Sequence, residues 1–123
     1  MRYMMFIKHG ENLDFSQIPQ SLFGAMDELV QRNMKSGALV ETAGLQPSKA
    51  GFRIRQSKRK LTTTDGPFTE AKELVGGFAI MECRTREEAM QHARDFMELH
   101  LKHWPDFEGE CEVRPYEAGP PQN

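Results

Sequence analysis

The sharpest local feature of the chain is Asp65-Gly66-Pro67-Phe68. Read as structure it is a turn: the Asp side chain bonds nearby amides, Gly supplies unusual dihedrals and Pro fixes φ. Read as chemistry, it sets the Asp65 carboxylate at a pocket mouth as acid, base or hydrogen-bond acceptor, with Phe68 as a ligand contact. Four histidines offer proton transfer near neutral pH. His9 closes the first apolar run, where a sheet-edge pocket would open; it reads as a base or as a plain loop residue. His100 shares an apolar helix face with Phe96 and Trp104, and reads as a hydrogen-bonded core histidine or as a pocket acid/base. His92 points away from that stripe and reads as surface. His100 and His103 are spaced for two metal ligands, but no acidic or Cys partner has matching spacing, so no metal is expected. Arg53 and Arg55 fall on one face of an alternating run. They suit a bidentate carboxylate or phosphate, or ion pairs with Glu70, Glu73 or Asp65. Glu70 and Lys72 read as part of a polar lid. No nucleotide loop, Ser-His-Asp set or nucleophile elbow is present, and no cofactor is implied.

These residues need elements to position them. Residues 2–8 read as a strand apolar on both faces, with Tyr3, Met5 and Ile7 on one side and Met4 and Phe6 on the other. A helix starts near Pro19 and carries Leu22, Met26, Leu29 and Val30 at helical spacing, with Gly37 as its left-handed cap. A strand covers about 38–43, and 44–51 is a loop. Residues 52–57 and 60–64 form a hairpin, although Ser57-Lys58-Arg59 lacks the usual Asn-Gly signal. Residues 76–83 form another two-faced apolar strand. Thr85-Arg86-Glu87-Glu88 is a capping box that opens a second helix with Ala89, Ala93, Phe96, Met97 and Trp104 as its stripe, ended by Pro105. A last strand covers about 110–115. The order predicts an α+β fold: a ferredoxin-like split β-α-β antiparallel sheet with an inserted hairpin. Two helices cover one sheet face, so a second copy of the chain is expected on the other, sheet against sheet.

Length, charge and composition narrow the classes further. The chain has 123 residues, 38% of them hydrophobic and 28% charged, which fits one globular domain. The expected domain is 1–117, with a loose tail at 118–123. A net charge of −2 gives no field for nucleic acid or an anionic membrane. Lys58-Arg59-Lys60, flanked by Arg53 and Arg55, is a local basic patch that reads as a solvated hairpin tip. The eight methionines suit either an adaptable pocket or core gap filling. No apolar run approaches a membrane span, and the first residues do not resemble a signal peptide. Cys83 and Cys111 read as free thiols of a reduced, cytoplasmic protein.

The run Thr64-Asp65-Gly66-Pro67-Phe68-Thr69-Glu70-Ala71-Lys72-Glu73, followed by Gly76-Gly77-Phe78, closely resembles the signature of DGPF proteins in the YciI-related family. Gly44-Leu45-Gln46-Pro47-Ser48, Arg53-Ile54-Arg55 and Glu112-Val113-Arg114-Pro115 are similar to flanking parts of the same pattern. The resemblance implies a dimeric α+β barrel. Some members are thought to act on small molecules with a His–Asp pair, such as in removing chloride from a chlorinated hydroquinone. That His lies in the first helix, and the helix from Pro19 to Gly37 has none here. Other DGPF proteins resemble partners of extracytoplasmic-function sigma factors. Three functions follow as expectations. The leading one is a homodimer binding a small organic molecule near Asp65, Arg53 and His9, with Arg55, Phe68 and His100 as further contacts. Its chemistry would be proton abstraction or elimination, with Asp65 or His9 as base. The others are a non-catalytic accessory module and a cofactor-free oxygenase favoured by a neutral His100 open to a cavity.

Overall fold

A computed structural model describes residues 1–10, 13–68 and 73–117. Its strands are β1 (Arg2–His9), β2 (Leu39–Gly44), β3 (Phe52–Ser57), β4 (Lys60–Asp65), β5 (Leu74–Glu82) and β6 (Gly109–Pro115); its helices are α1 (Gln20–Ser36) and α2 (Arg86–His103). Strands β2-β5-β1-β6 form one antiparallel sheet, the strand order of a ferredoxin-like fold, and β3-β4 form a separate ribbon.

The alternation of β1 decides what lies on each face. Tyr3 and Met5 join Leu39, Met81, Cys83 and Ala89 in the core, with Val30 of α1 and Ala93 of α2 packed against them. Met4 and Phe6 point the other way, beside Ile80 and Phe78 across the register, and all four are half-buried. The two-faced strand pattern is therefore real, and both helices lie on the Tyr3–Met5 side. Beyond Phe6 the open face becomes polar. Lys8 Nζ lies 3.3, 3.2 and 3.0 Å from carboxylates of Glu73, Glu110 and Glu112. Hydrogen bonds to Glu112, then Glu110, hold its pKa well above the ordinary lysine value.

The helix ends follow their local chemistry. Pro19 occupies the position before α1, and Gly37 ends it at φ +83°, where only glycine fits without strain. Thr85 Oγ1 accepts from Glu88 N–H at 3.1 Å, while the Glu88 carboxylate accepts from Arg84 N–H at 3.0 Å, one residue earlier than in the usual reciprocal box. The hairpin turns on Lys58 and Arg59, at φ +50° and +64°. Two consecutive positive φ values are what a two-residue turn of this hand demands, and here lysine and arginine adopt them in place of Asn-Gly. The conformation costs roughly 1 kcal/mol per residue and explains why the turn signal is weak in the sequence.

Every residue of the β3-β4 ribbon is exposed, including Phe52 at 64%, Ile54 at 61% and Leu61 at 71%. Its base is anchored where Gly66 N–H donates to Gly51 O at 2.9 Å and Phe68 N–H donates to Ser48 Oγ at 3.1 Å. No helix among the described residues is long and apolar enough to cross a membrane. Glu70, Lys72 and the expected tail at 118–123 lie outside the described residues.

Candidate functional site

The site grows from an irregularity in the sheet. Ile7 pairs with Gly77 and Lys8 with Val75, which leaves Gly76 unmatched in a bulge of β5. His9, the last residue of β1, lays its ring over that bulge. A Cβ at position 76 would stand 2.6 Å from both Cδ2 and Nε2 of the ring, so glycine is what admits the histidine. The ring is buried, with Phe15 edge-on at a centroid distance of 5.3 Å. His9 Nδ1 lies 2.8 Å from Gly10 O, and a carbonyl can only accept, so this nitrogen carries the proton in the neutral ring. Nε2 is then a bare lone pair, with no hydrogen-bond partner among the described residues.

His9 stands where two cavities meet. The inner one, about 550 Å³, lies between the sheet and the helices and is walled by Met5, Leu22, Met26, Phe96, Trp104 and Phe107. The outer one, about 530 Å³, lies beneath the hairpin and is lined by Gln46, Pro47, Ser48, Arg53 and Phe68. His9, Phe15, Leu45 and Gly76 belong to both walls. Phe15, Phe23 and Leu45 remain 41%, 49% and 46% exposed at the rim, so the inner cavity opens through apolar side chains.

His100 is the second histidine of the inner cavity. Its Nδ1 lies 3.1 Å from Phe96 O, and its ring packs against Phe96 and Phe107. Burial holds its pKa below the ordinary value of 6.5, against the opposing pull of the Phe96 carbonyl. The ring is therefore neutral, with Nδ1 spent on the backbone as in His9. The linkage has a definite sign. Between the folded pKa and 6.5 the unfolded chain binds a proton that the folded chain refuses, so stability should fall as pH drops below 6.5. It should level off only below the folded value. His100→Gln should flatten that limb in a plot of urea midpoint against pH; a limb of unchanged slope would contradict the assignment.

The remaining candidates separate. Arg53 lines the outer cavity with its guanidinium carbon 3.8 Å above the Phe68 ring, and Phe68 is buried. Arg55, next on the same ribbon face, lines neither cavity. Asp65 is exposed at the end of β4, across from Phe52, and also lines neither. Glu73, a sequence candidate for pairing with the hairpin arginines, sits on Lys8. His92 is partly buried rather than on the surface, and its Nδ1 is enclosed without a partner among the described residues. His103 faces the groove between α1 and α2 while His100 faces the inner cavity, so the two do not converge. Both cysteines are free, and burial pushes the Cys111 thiol up to about 11, far from a thiolate at neutral pH. Sequence reasoning missed Phe15 and Phe107 as cavity walls. It also missed Gly76 as the seat of His9, for which a Gly-Gly pair inside an apolar strand is the available signal.

A β2-β5-β1-β6 sheet with two helices on one face and a cavity between them defines a ferredoxin-like α+β domain. The chain belongs to the YCII-related domain family, whose model matches residues 1–98. It is also similar to a protein of Rhizobium meliloti (strain 1021) that is described only as uncharacterized, with 37% identity over 87 residues. That match covers 70% of this chain and 66% of the relative, so the chain spans just under two thirds of the relative's length.

Proposed function

We propose that this YCII-related domain binds a small organic molecule in the cavities that meet at His9, and that His9 Nε2 accepts a proton from it. The observation that carries the reading is the ring itself: buried, fixed as the Nδ1–H tautomer by Gly10 O, and presenting an unpartnered lone pair at a cavity wall. On protonation the imidazolium keeps its Nδ1–H bond to Gly10, so the ring need not move. Asp65 stands outside both cavities and has no part in this step. The local pattern around Asp65-Gly66-Pro67-Phe68 supports a place in the DGPF branch, and pairing of two copies through Met4, Phe6, Phe78 and Ile80 would give a dimeric α+β barrel. A cofactor-free oxygenase is a second reading, supported by the neutral His100 in the inner cavity.

Proton–nitrogen correlation spectra of the histidine rings test the leading reading. In its neutral form, His9 should appear as the Nδ1–H tautomer, and small aromatic probes should shift its Nε2 signal. An Nε2-protonated ring, or a ring indifferent to every probe, would refute it. Light scattering at micromolar concentration should give twice the chain mass; a single-chain mass would defeat the pairing.

A further inference from the structure

The inner cavity offers acceptors rather than charge. None of the described residues lining it is Asp, Glu, Lys or Arg, so an ion placed there would lose its hydration without a counter-charge. His9 and His100 are 8% and 6% exposed, and each spends its Nδ1 proton on a backbone carbonyl, 2.8 Å from Gly10 O and 3.1 Å from Phe96 O. A neutral ring fixed in this way presents a lone pair at Nε2, and neither Nε2 has a partner among the described residues. Thr42, the one hydroxyl among the described lining residues, gives its proton to Phe78 O at 2.8 Å and is left to accept as well. The side-chain donors are the Trp104 indole N–H and the weak Cys111 S–H. One ring links the two histidines along the wall. Phe107 lies 4.9 Å from His100, centroid to centroid, and its Cζ closes on Gly109, where a Cβ would overlap it. Gly109 is the cross-strand neighbour of His9.

We propose that the inner cavity selects a flat, uncharged ring system with two hydrogen-bond donors, one given to His9 Nε2 and the other to His100 Nε2. The inference rests on the reading that this cavity holds a ligand, and it gives His100 the role of orienting that ligand. A ring lying along Phe107 gains stacking contacts there and reaches both nitrogens. A ligand that displaces water from these lone pairs must bring donors of its own, or two buried acceptors are left unmade. An acceptor-only ring, or an anion, would set lone pair against lone pair. Burial makes His100 a weak base, so it holds its donor, while His9, at the seam with the outer cavity, takes the proton of the other.

Three bicyclic probes of one shape carry two donor groups, one and none: 5-aminoindole, indole and benzofuran. All are uncharged at about pH 8, where an ordinary imidazole is neutral too. Affinities are read from the histidine ring-nitrogen shifts in proton–nitrogen correlation spectra. Apolar burial alone would favour benzofuran, the least polar of the three. Indole should instead bind about tenfold tighter than benzofuran, and 5-aminoindole about tenfold tighter again, shifting Nε2 of both histidines. In His100→Phe the second step should vanish while indole keeps its advantage through His9, and that retained advantage also shows the cavity intact. Should this variant fail to fold, the order of affinities and the His100 shift in the unaltered protein decide the matter. Benzofuran binding as tightly as indole, shifts at His9 alone, or a second step that survives His100→Phe would overturn the two-donor assignment and leave the ligand-binding reading standing. If no probe shifts either ring, both fall.

Discussion

Gly66→Ala should free the base of the hairpin and speed amide exchange at Gly66 and Phe68 about a hundredfold. A Cβ at this position would overlap the Ser48 carbonyl oxygen, stand 2.6 Å from its carbon and 3.1 Å from Lys49 Cα. All three are backbone atoms, so no rotamer change relieves the clash. The bonds at risk are Gly66 N–H to Gly51 O and Phe68 N–H to Ser48 Oγ. Each is worth about 1 kcal/mol, and forced overpacking adds roughly 1–3 kcal/mol. The ribbon is not part of the four-stranded sheet, so the loss in global stability is capped by the free energy that docks it. Exchange at these amides is thus the sharper readout, and unchanged protection would show that the glycine is not needed for the anchor. Phe68 and Arg53 should loosen together, since the arginine is stacked on that ring.

Leu22→Ala should lower the global stability by about 2–3 kcal/mol, measured as a urea midpoint at constant slope. Leu22 is 1% exposed, the most enclosed residue of α1. Truncation of buried leucines costs about 2–5 kcal/mol, the larger values where a sealed void is left. Leu22 already borders the inner cavity, so its removal enlarges an existing space, and the cost should fall at the lower end. Phe23→Ala is the natural comparison: the neighbouring ring is 49% exposed and its loss should cost less, despite the larger side chain. A reversed order of the two would place the core on the other side of α1.

Which parts of this molecule can be read from the chain follows from the range of the forces involved. The limits of β3 and of α1, the Gly37 cap and the Thr85 box are written in neighbouring residues, and the structure places them at or within a residue or two of expectation. The two-faced apolar pattern of β1 and β5 was also legible, and these two strands form the centre of the sheet. The site was less legible. Asp65 looks functional in the sequence, yet the register that sets it opposite Phe52 leaves it facing water outside both cavities. His9 read as a base or as a plain loop residue, and what distinguishes it is a bulge at Gly76, sixty-seven positions away in the chain. Glu73 was available to several cations, and only folding brings Lys8 against it together with Glu110 and Glu112. Contacts between distant segments carry no local signature, and they are what assemble the site.

The ribbon formed by β3 and β4 has a further implication for how such domains diversify. Its strands bond to each other and not to the main sheet, and its turn takes only two residues. Residues added or removed at the tip as opposed pairs leave the register at Arg53 and Thr64 unchanged, and every ladder of the four-stranded sheet untouched. An unmatched single residue would instead need a bulge to absorb it. Insertions and deletions can therefore accumulate here in steps of two, altering how far the arm reaches while the frame that seats His9 stays constant.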